Sequence, residues 1–204
     1  MHLFYKPGAC SMAAHIILNE VDVAHTVEKV DTEKGVTETG LTYAEVNPRG
    51  YVPALRLEGG EVITENAAVL QYLGDQFGEH LLVPAAGTID RVRLQETLSF
   101  LSAELHNAFG PFFSGKDMSE GQKQAATDKV KRKIAQFGAM LPQETPFVLG
   151  DRFTVADAYA FVILNWANFT GISLASWPRL EAYMARIGAR PAVQKTLKQE
   201  GLAA

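Results

Sequence analysis

The sequence predicts an α/β plus all-α protein in two parts, and three observations carry that prediction. The first eighty residues switch between strand-like and helix-like apolar spacing, residues 81–87 are a Pro/Ala/Gly-bearing stretch without either spacing, and every apolar repeat beyond is helical. A chain of 204 residues is long enough for two domains of roughly 100 residues each. The expected boundaries are residues 1–80 for the first domain, 81–87 for a linker and 88–204 for the second.

In chain order, His2 to Lys6 is a short apolar run closed by Pro7-Gly8, a strand followed by a turn. From Ser11 the period changes, with Ala14, Ile17, Leu18 and Val21 on one helical face. Thr26 to Val30 is β-branched and reads as a second strand, and Asp31 to Gly40 as a polar, turn-rich connection. After a loop at Asn47-Pro48-Arg49-Gly50, Leu55 and Leu57 alternate with Arg56 and Glu58, and Gly59-Gly60 marks a hairpin into Val62-Ile63. Glu65-Asn66 then opens a helix that aligns Val69, Leu70, Leu73 and Phe77. The expected order is β-α-β, a turn or short helix, then β-β-α, which gives a mixed sheet with helices packed on it.

Beyond the linker, Leu94, Leu98, Leu101 and Leu105 form one helical stripe, and Val130, Ile134, Phe137 and Leu141 another. Leu180, Tyr183, Met184 and Ile187 form a third, and Pro191 opens a last short helix. Thr154 and Asp157 have the spacing of a reciprocal capping box, with Phe153 ahead of it placed to staple onto Ala158. The run Ala158 to Leu164 is apolar on every face and predicts the centre of the helical domain.

Composition narrows the function. Acids outnumber bases 23 to 19, for a net charge of −4, and the bases are scattered, so nucleic acid is not an expected partner. A single cysteine makes no internal disulfide and fits a reducing compartment, so a cytoplasmic location is expected. No window reaches the roughly 18 apolar residues of a membrane span, and the opening MHLFYKPGAC lacks the basic and apolar regions of a lipoprotein signal. His2, His15, His25, His80 and His106 are dispersed without metal-ligand spacing, so no metal is expected.

Three places have the makings of chemistry. Cys10 falls between a strand end and a helix start, where free backbone N–H groups favour a thiolate, and Ser11 beside it can cap the helix or donate to the same sulfur. Read alone, Cys10 is equally a small buried hydrophobe. No second cysteine stands nearby to resolve a disulfide, so thiol chemistry would need an external thiol. Val52-Pro53 opens a strand; a cis bond there would turn Val52's backbone toward a peptide-like ligand, whereas a trans bond would be an ordinary strand start. Glu65-Asn66 is a helix start with the means to hold a carboxylate and an ammonium.

Together, Cys10 after the first strand, Asn47-Pro48-Arg49-Gly50 leading to Val52-Pro53-Ala54-Leu55, Glu65-Asn66 with the helix to Leu73, and Phe153-Thr154-Val155-Ala156-Asp157 resemble the cytosolic glutathione transferase superfamily. Cys10 with Ser11, and His106 in the first helix of the second domain, are most similar to the bacterial beta class. The resemblance implies a thioredoxin-like N-terminal domain followed by a glutathione-transferase-type helical C-terminal domain, with glutathione as co-substrate bound between them in a homodimer. It implies that Val52 before a cis Pro53 pairs with the cysteinyl backbone of glutathione, that Glu65 and Asn66 take its γ-glutamyl end, and that Cys10 faces its sulfur. Ser99, Glu104 and His106 would reach the ligand from the second domain, and Cys10, Ser11 and His106 would be catalytic.

Departures stand beside the match. Beta-class relatives often carry asparagine, serine and lysine where this chain has Ser99, Ala103 and Asn107, implying a weaker grip from the second domain. They also tend to carry lysine at the position of Gly35, with Lys34 adjacent here; Tyr5, inside the first strand, is not expected to act as the catalytic tyrosine of other classes. The activity implied is conjugation of glutathione to hydrophobic electrophiles, with thiol-disulfide exchange through Cys10 as a second capacity. The alternatives are a glutathione-dependent reductive dehalogenase and a non-enzymatic binder using a hollow near Phe109, Phe112, Phe113, Trp166 and Phe169, aromatics that also suit a packed core.

Overall fold

The computed structural model describes residues 1–79 and 81–202, so His80 of the five histidines lies outside the described residues. The chain divides into two compact units, Met1–Val83 with Ala189–Ala204, and Pro84–Gly188.

The first unit is built on a five-stranded sheet in the order β3-β2-β1-β4-β5. Its strands are β1 (His2–Tyr5), β2 (Thr26–Asp31), β3 (Val36–Thr37), β4 (Ala54–Arg56) and β5 (Val62–Thr64). β1 and β2 pair in parallel across the helix α1 (Met12–Glu20), while β4 runs antiparallel to β1 and forms a hairpin with β5. A single turn of 3₁₀ helix at Tyr43–Glu45 precedes β4, and α2 (Asn66–Phe77) follows β5. This is the expected order with one addition: β3 lies inside the stretch read as a polar turn, because two residues are too short to show alternation. The hairpin loop also spans Leu57 to Glu61, closed by Leu57 N–H to the Glu61 carbonyl at 2.8 Å, rather than the glycine pair alone.

The last helix, α8 (Pro191–Gln199), belongs to this first unit and packs on α1. The sequence boundaries had placed it with the second domain, and the reason it moves is visible on α1. Met12 to Asn19 are buried on every face, more than a sheet and α2 can cover. Ala192, Val193 and Thr196 of α8 are buried in turn, and Asn19 Nδ2 donates to Thr196 Oγ1 at 2.9 Å.

The second unit is helical. α3 (Ile89–Phe100) runs into a π-helical turn at Leu101–His106, then the single turn α4 (Asn107–Phe109) and a 3₁₀ turn to Phe113. α5 (Glu120–Met140), α6 (Val155–Thr170) and α7 (Pro178–Gly188) complete it. α6 is its centre, buried from Val155 to Leu164. The capping box at its start is formed: the Asp157 carboxylate accepts from the Thr154 N–H at 2.8 Å and the Thr154 hydroxyl at 2.9 Å. It also accepts from the Val148 N–H and the Tyr183 hydroxyl, so this one side chain ties α6 to α7 and to the preceding loop. Gly171, at φ 71°, closes α6 in the left-handed conformation. No helix among the described residues is long and apolar enough to cross a membrane.

Candidate active site

Cys10 sits in the tight turn between β1 and α1, one residue before the N-cap. Its thiol donates to the Val52 carbonyl at 3.3 Å, which brings together two of the three places singled out in the sequence. The Val52-Pro53 bond is cis, as the resemblance implied. Burial pushes the Cys10 thiol up to about 12, against the pull of the Ser11 and Cys10 backbone N–H groups, and the nearby Glu65 carboxylate pushes the same way as burial. The helix-start position therefore supplies the expected donors, but desolvation outweighs them in the free protein.

Ser11 does not take either role expected for its hydroxyl. It is fully buried, accepts from the Lys6 N–H at 3.2 Å and donates to the Lys6 carbonyl at 3.3 Å. No side-chain cap is made to α1. The hydroxyl closes the turn from within, and only the backbone N–H of Ser11 bears on the sulfur.

The segment before Val52 is held by groups the sequence reading left without a role. Tyr43 donates its hydroxyl to the Tyr51 carbonyl at 3.0 Å, and Asn47 Nδ2 donates to that same oxygen at 2.6 Å. Asn47 Oδ1 accepts from the Arg49 N–H at 3.1 Å, so the Asn-Pro-Arg-Gly motif is a folded loop that presents Val52. Its only sequence signal was the Pro-Gly turn chemistry.

Glu65 and Asn66 differ in condition. Glu65, the N-cap of α2, has φ 68° and ψ 114°, which is unfavourable for a non-glycine residue. Its carboxylate lies 3.6 Å from Arg49 in an exposed ion pair. Asn66 is buried, and neither the oxygen nor the nitrogen of its amide has a partner. A buried, unpaired amide costs about 1–3 kcal/mol, so its retention beside a strained N-cap needs a reason outside the unliganded fold. Lys34 is paired with Asp31 at 3.2 Å, and Gly35 takes φ +68°, a conformation open to glycine.

In the second unit, Ser99 is exposed on α3, and Glu104 and His106 both lie in the π-helical turn. Glu104 is exposed and ion-paired with Lys133 of α5 at 2.8 Å, which holds its carboxyl below the ordinary value. His106 is half-buried rather than an exposed helix histidine. Its Nδ1 lies 2.9 Å from the Tyr159 hydroxyl and its ring packs edge-on against Trp166 at 4.8 Å. Burial lowers its pKa to about 4, so it is neutral at physiological pH. Phe109 and Phe113 pack edge-on against the same indole; Phe109 is fully buried while Phe113 and Phe169 are exposed. The aromatic group thus grades from core to surface. Ala103 is exposed, and its carbonyl accepts from the Asn107 side chain. Among the described residues, no group of three or more His, Cys, Asp or Glu side chains is arranged to hold a metal ion.

A thioredoxin-like unit with cis Val52-Pro53 against a cysteine, joined to an all-helical unit capped at Thr154-Asp157, defines a class of fold that the comparisons identify. The chain belongs to the glutathione S-transferase family: residues 8–76 match its N-terminal domain and residues 100–191 its C-terminal domain. It is 40% identical over 202 residues to glutathione S-transferase GstA of Escherichia coli O157:H7, covering 99% of this chain and all of that one. Among solved structures it is similar to the beta class glutathione S-transferase of Sphingomonas chungbukensis, with TM-score 0.94, 44% identity and full coverage of both chains. A sphingomonad glutathione S-transferase complexed with glutathione gives TM-score 0.93 at 45% identity, again over the whole of both chains. The fold and the beta-class likeness stand as the sequence predicted.

Proposed function

We propose that this protein binds glutathione on its first unit and conjugates it to hydrophobic electrophiles. The observation that carries the reading is the buried Asn66 amide with both polar atoms unpaired, in a unit whose Cys10 thiol is held against Val52 beside a cis proline. Glutathione's γ-glutamyl end supplies the donors and acceptors that Asn66 and Glu65 lack, and Val52 pairs with its cysteinyl backbone. A relative of 45% identity is known complexed with glutathione, which supports the same ligand here.

The pKa direction assigns Cys10 its part. A thiol pushed up to about 12 stays protonated and acts as a hydrogen-bond donor. Turned from the Val52 carbonyl to the incoming glutathione sulfur, it stabilises that sulfur as thiolate, the glutathione thiol's proton passing to solvent, and the thiolate attacks the electrophilic carbon and expels the leaving group with its bonding electron pair. Neutral His106 and the aromatic surface around Trp166 are the proposed contribution of the second unit to the electrophile. Disulfide exchange through Cys10 is a secondary capacity, supported by the two backbone N–H groups that would hold its thiolate. Ser99 and Glu104 remain proposed ligand contacts; Glu104 must first leave Lys133.

The deciding experiment is turnover of glutathione with 1-chloro-2,4-dinitrobenzene, beside glutathione titration calorimetry. Wild type turns over, Asn66→Ala weakens glutathione at least tenfold, and Cys10→Ala keeps measurable conjugation while losing the mixed disulfide. Tight dye binding without turnover in wild type would favour the binding-protein alternative instead. We also propose that the chain works in the cytoplasm as a homodimer in electrophile removal. Ile89 and Val92 stay exposed one turn apart on α3 and suit a second copy; sedimentation at the monomer mass would refute the dimer.

A further inference from the structure

We propose that Glu200, at the far end of the chain, is a positioning residue for Cys10, acting through the backbone of the β1–α1 turn. Its carboxylate is divided between two partners: one oxygen accepts from the Gly8 N–H at 2.9 Å and the other lies 2.9 Å from His15 Nδ1. Both side chains, Glu200 and His15, are fully buried. Gly8 is two residues before Cys10 and has φ +70°, and Leu202 Cδ1 lies 3.6 Å from where a Cβ on Gly8 would stand, within ordinary van der Waals contact.

The turn is thereby held from two sides. From within, the Ser11 hydroxyl bridges the N–H and carbonyl of Lys6, and the Ala9 N–H bonds the Lys6 carbonyl at 3.0 Å. From outside, the C-terminal segment reaches the apex with an ionisable group taken wholly out of water. Packing α8 onto α1 requires no contact with Gly8, since Asn19 with Thr196 and Gln199, and Arg190 with Glu20, already tie the two helices. The second oxygen of Glu200 serves the turn, and the turn fixes where the sulfur lies relative to the Cys10 and Ser11 N–H groups and the Val52 carbonyl. In this protein the residue that closes α8 sets the aim of the reactive thiol.

The inference rests on the reading of Cys10 as the group that meets the glutathione sulfur, and its test separates the two. Cys10 is reacted at pH 9 with oxidised glutathione and, separately, with iodoacetamide, and adducts are followed by intact mass. In the first reaction the thiol loses its proton to solvent, its sulfur bonds one glutathione sulfur, and the other leaves as glutathione thiolate. That step needs an aligned sulfur, while the small alkylating agent needs only access, so the ratio of the two rates reads aim rather than stability. Glu200→Met, which keeps volume but has no acceptor, lowers the ratio at least fivefold, and Glu200→Gln, whose amide oxygen still accepts from Gly8, restores it to within twofold of wild type. His15→Gln keeps the Gly8 contact and leaves the ratio unchanged even where its melting midpoint falls.

An unchanged ratio in folded Glu200→Met, or an equal loss in His15→Gln, overturns the proposal and leaves Glu200 purely structural. If wild type takes no glutathione adduct, the glutathione reading fails, and amide exchange at Gly8 decides positioning alone: protection that falls to loop rates in folded Glu200→Met supports the clamp, and unchanged protection refutes it. If Glu200→Met does not fold, amide exchange in wild type decides. Gly8 protection equal to that of the α1 core supports the clamp, and exchange at loop rates overturns it.

Discussion

Cys10 shows how a residue can be legible as a site while its chemistry is not. The strand-to-helix position announced a thiol beside backbone donors, but the pKa turns on desolvation by burial, in a fold that brings Val52, 42 residues away in sequence, against the sulfur. With the thiol near 12, iodoacetamide labels the unliganded protein at pH 7 at least 100-fold more slowly than an unfolded-chain cysteine, and the logarithm of the rate climbs with pH beyond 10. A plateau near pH 8 would contradict the assignment of a protonated donor. His106 carries the opposite kind of surprise, having looked like a surface histidine until Tyr159 and Trp166 closed over it. Its folded pKa of about 4 lies below the ordinary value, so between pH 6.5 and 4 the unfolded chain binds a proton that the native chain does not. This contribution to stability is complete above pH 6.5 and is lost as acid is added, by about 1–2 kcal/mol at pH 5. Urea melts should show His106→Asn losing that much less than wild type between pH 7 and pH 5, and parallel losses would disprove it.

Two helix starts in the molecule are built to opposite ends. At α6 the capping carboxylate is fully engaged, since Asp157 accepts from Thr154 twice, from Val148 and from Tyr183, all of them buried contacts. Thr154 and Asp157 announced this arrangement in sequence because a capping box is local, whereas Tyr183 was only a member of a helical stripe. Asp157→Ala strands those donors in the core and should cost 3 kcal/mol or more by chemical denaturation, about the loss of several buried hydrogen bonds. At α2 the N-cap is Glu65 at φ 68°, and the next residue keeps an unpaired amide. That strain was invisible in sequence, where Glu65-Asn66 reads as an ordinary cap. Glu65→Gly should therefore leave stability unchanged or raise it by about 1 kcal/mol, the exposed pair with Arg49 being worth little, while weakening glutathione at least tenfold. A matched fall in stability and affinity would mean that Glu65 is a structural cap after all.

At the scale of the whole chain, the strand and helix order was readable because apolar periodicity is local, and it failed for β3, too short to have a period, and for the π-helical and single turns from Leu101 to Phe113, which the stripe through Leu105 runs into without a break in spacing. The sequence partner of α1 was not readable. Ala14, Ile17, Leu18 and Val21 indicated one buried face, yet Met12, Ala13 and Ile16 are fully buried too, and nothing local says that residues about 180 positions later cover them. The same distance hid the Glu200 contacts with Gly8 and His15. Topology has an energetic consequence here, because the first unit is completed by residues 189–204, far along the chain from the rest of it. A chain ending at Gly188 would expose part of the α1 surface, strip His15 of its buried partner and leave Asn19 without Thr196 and Gln199. Losing one member of a buried acid–imidazole pair alone typically costs about 3–5 kcal/mol, a large share of the 5–15 kcal/mol that holds an ordinary domain folded. The truncated chain is therefore expected to unfold in two separated transitions, its first-unit transition at far lower urea, and a synthetic peptide of residues 189–204 added in excess should raise that midpoint. A truncated chain that still melts in one transition at the wild-type midpoint would show that α8 is an accessory to the first unit rather than part of its core.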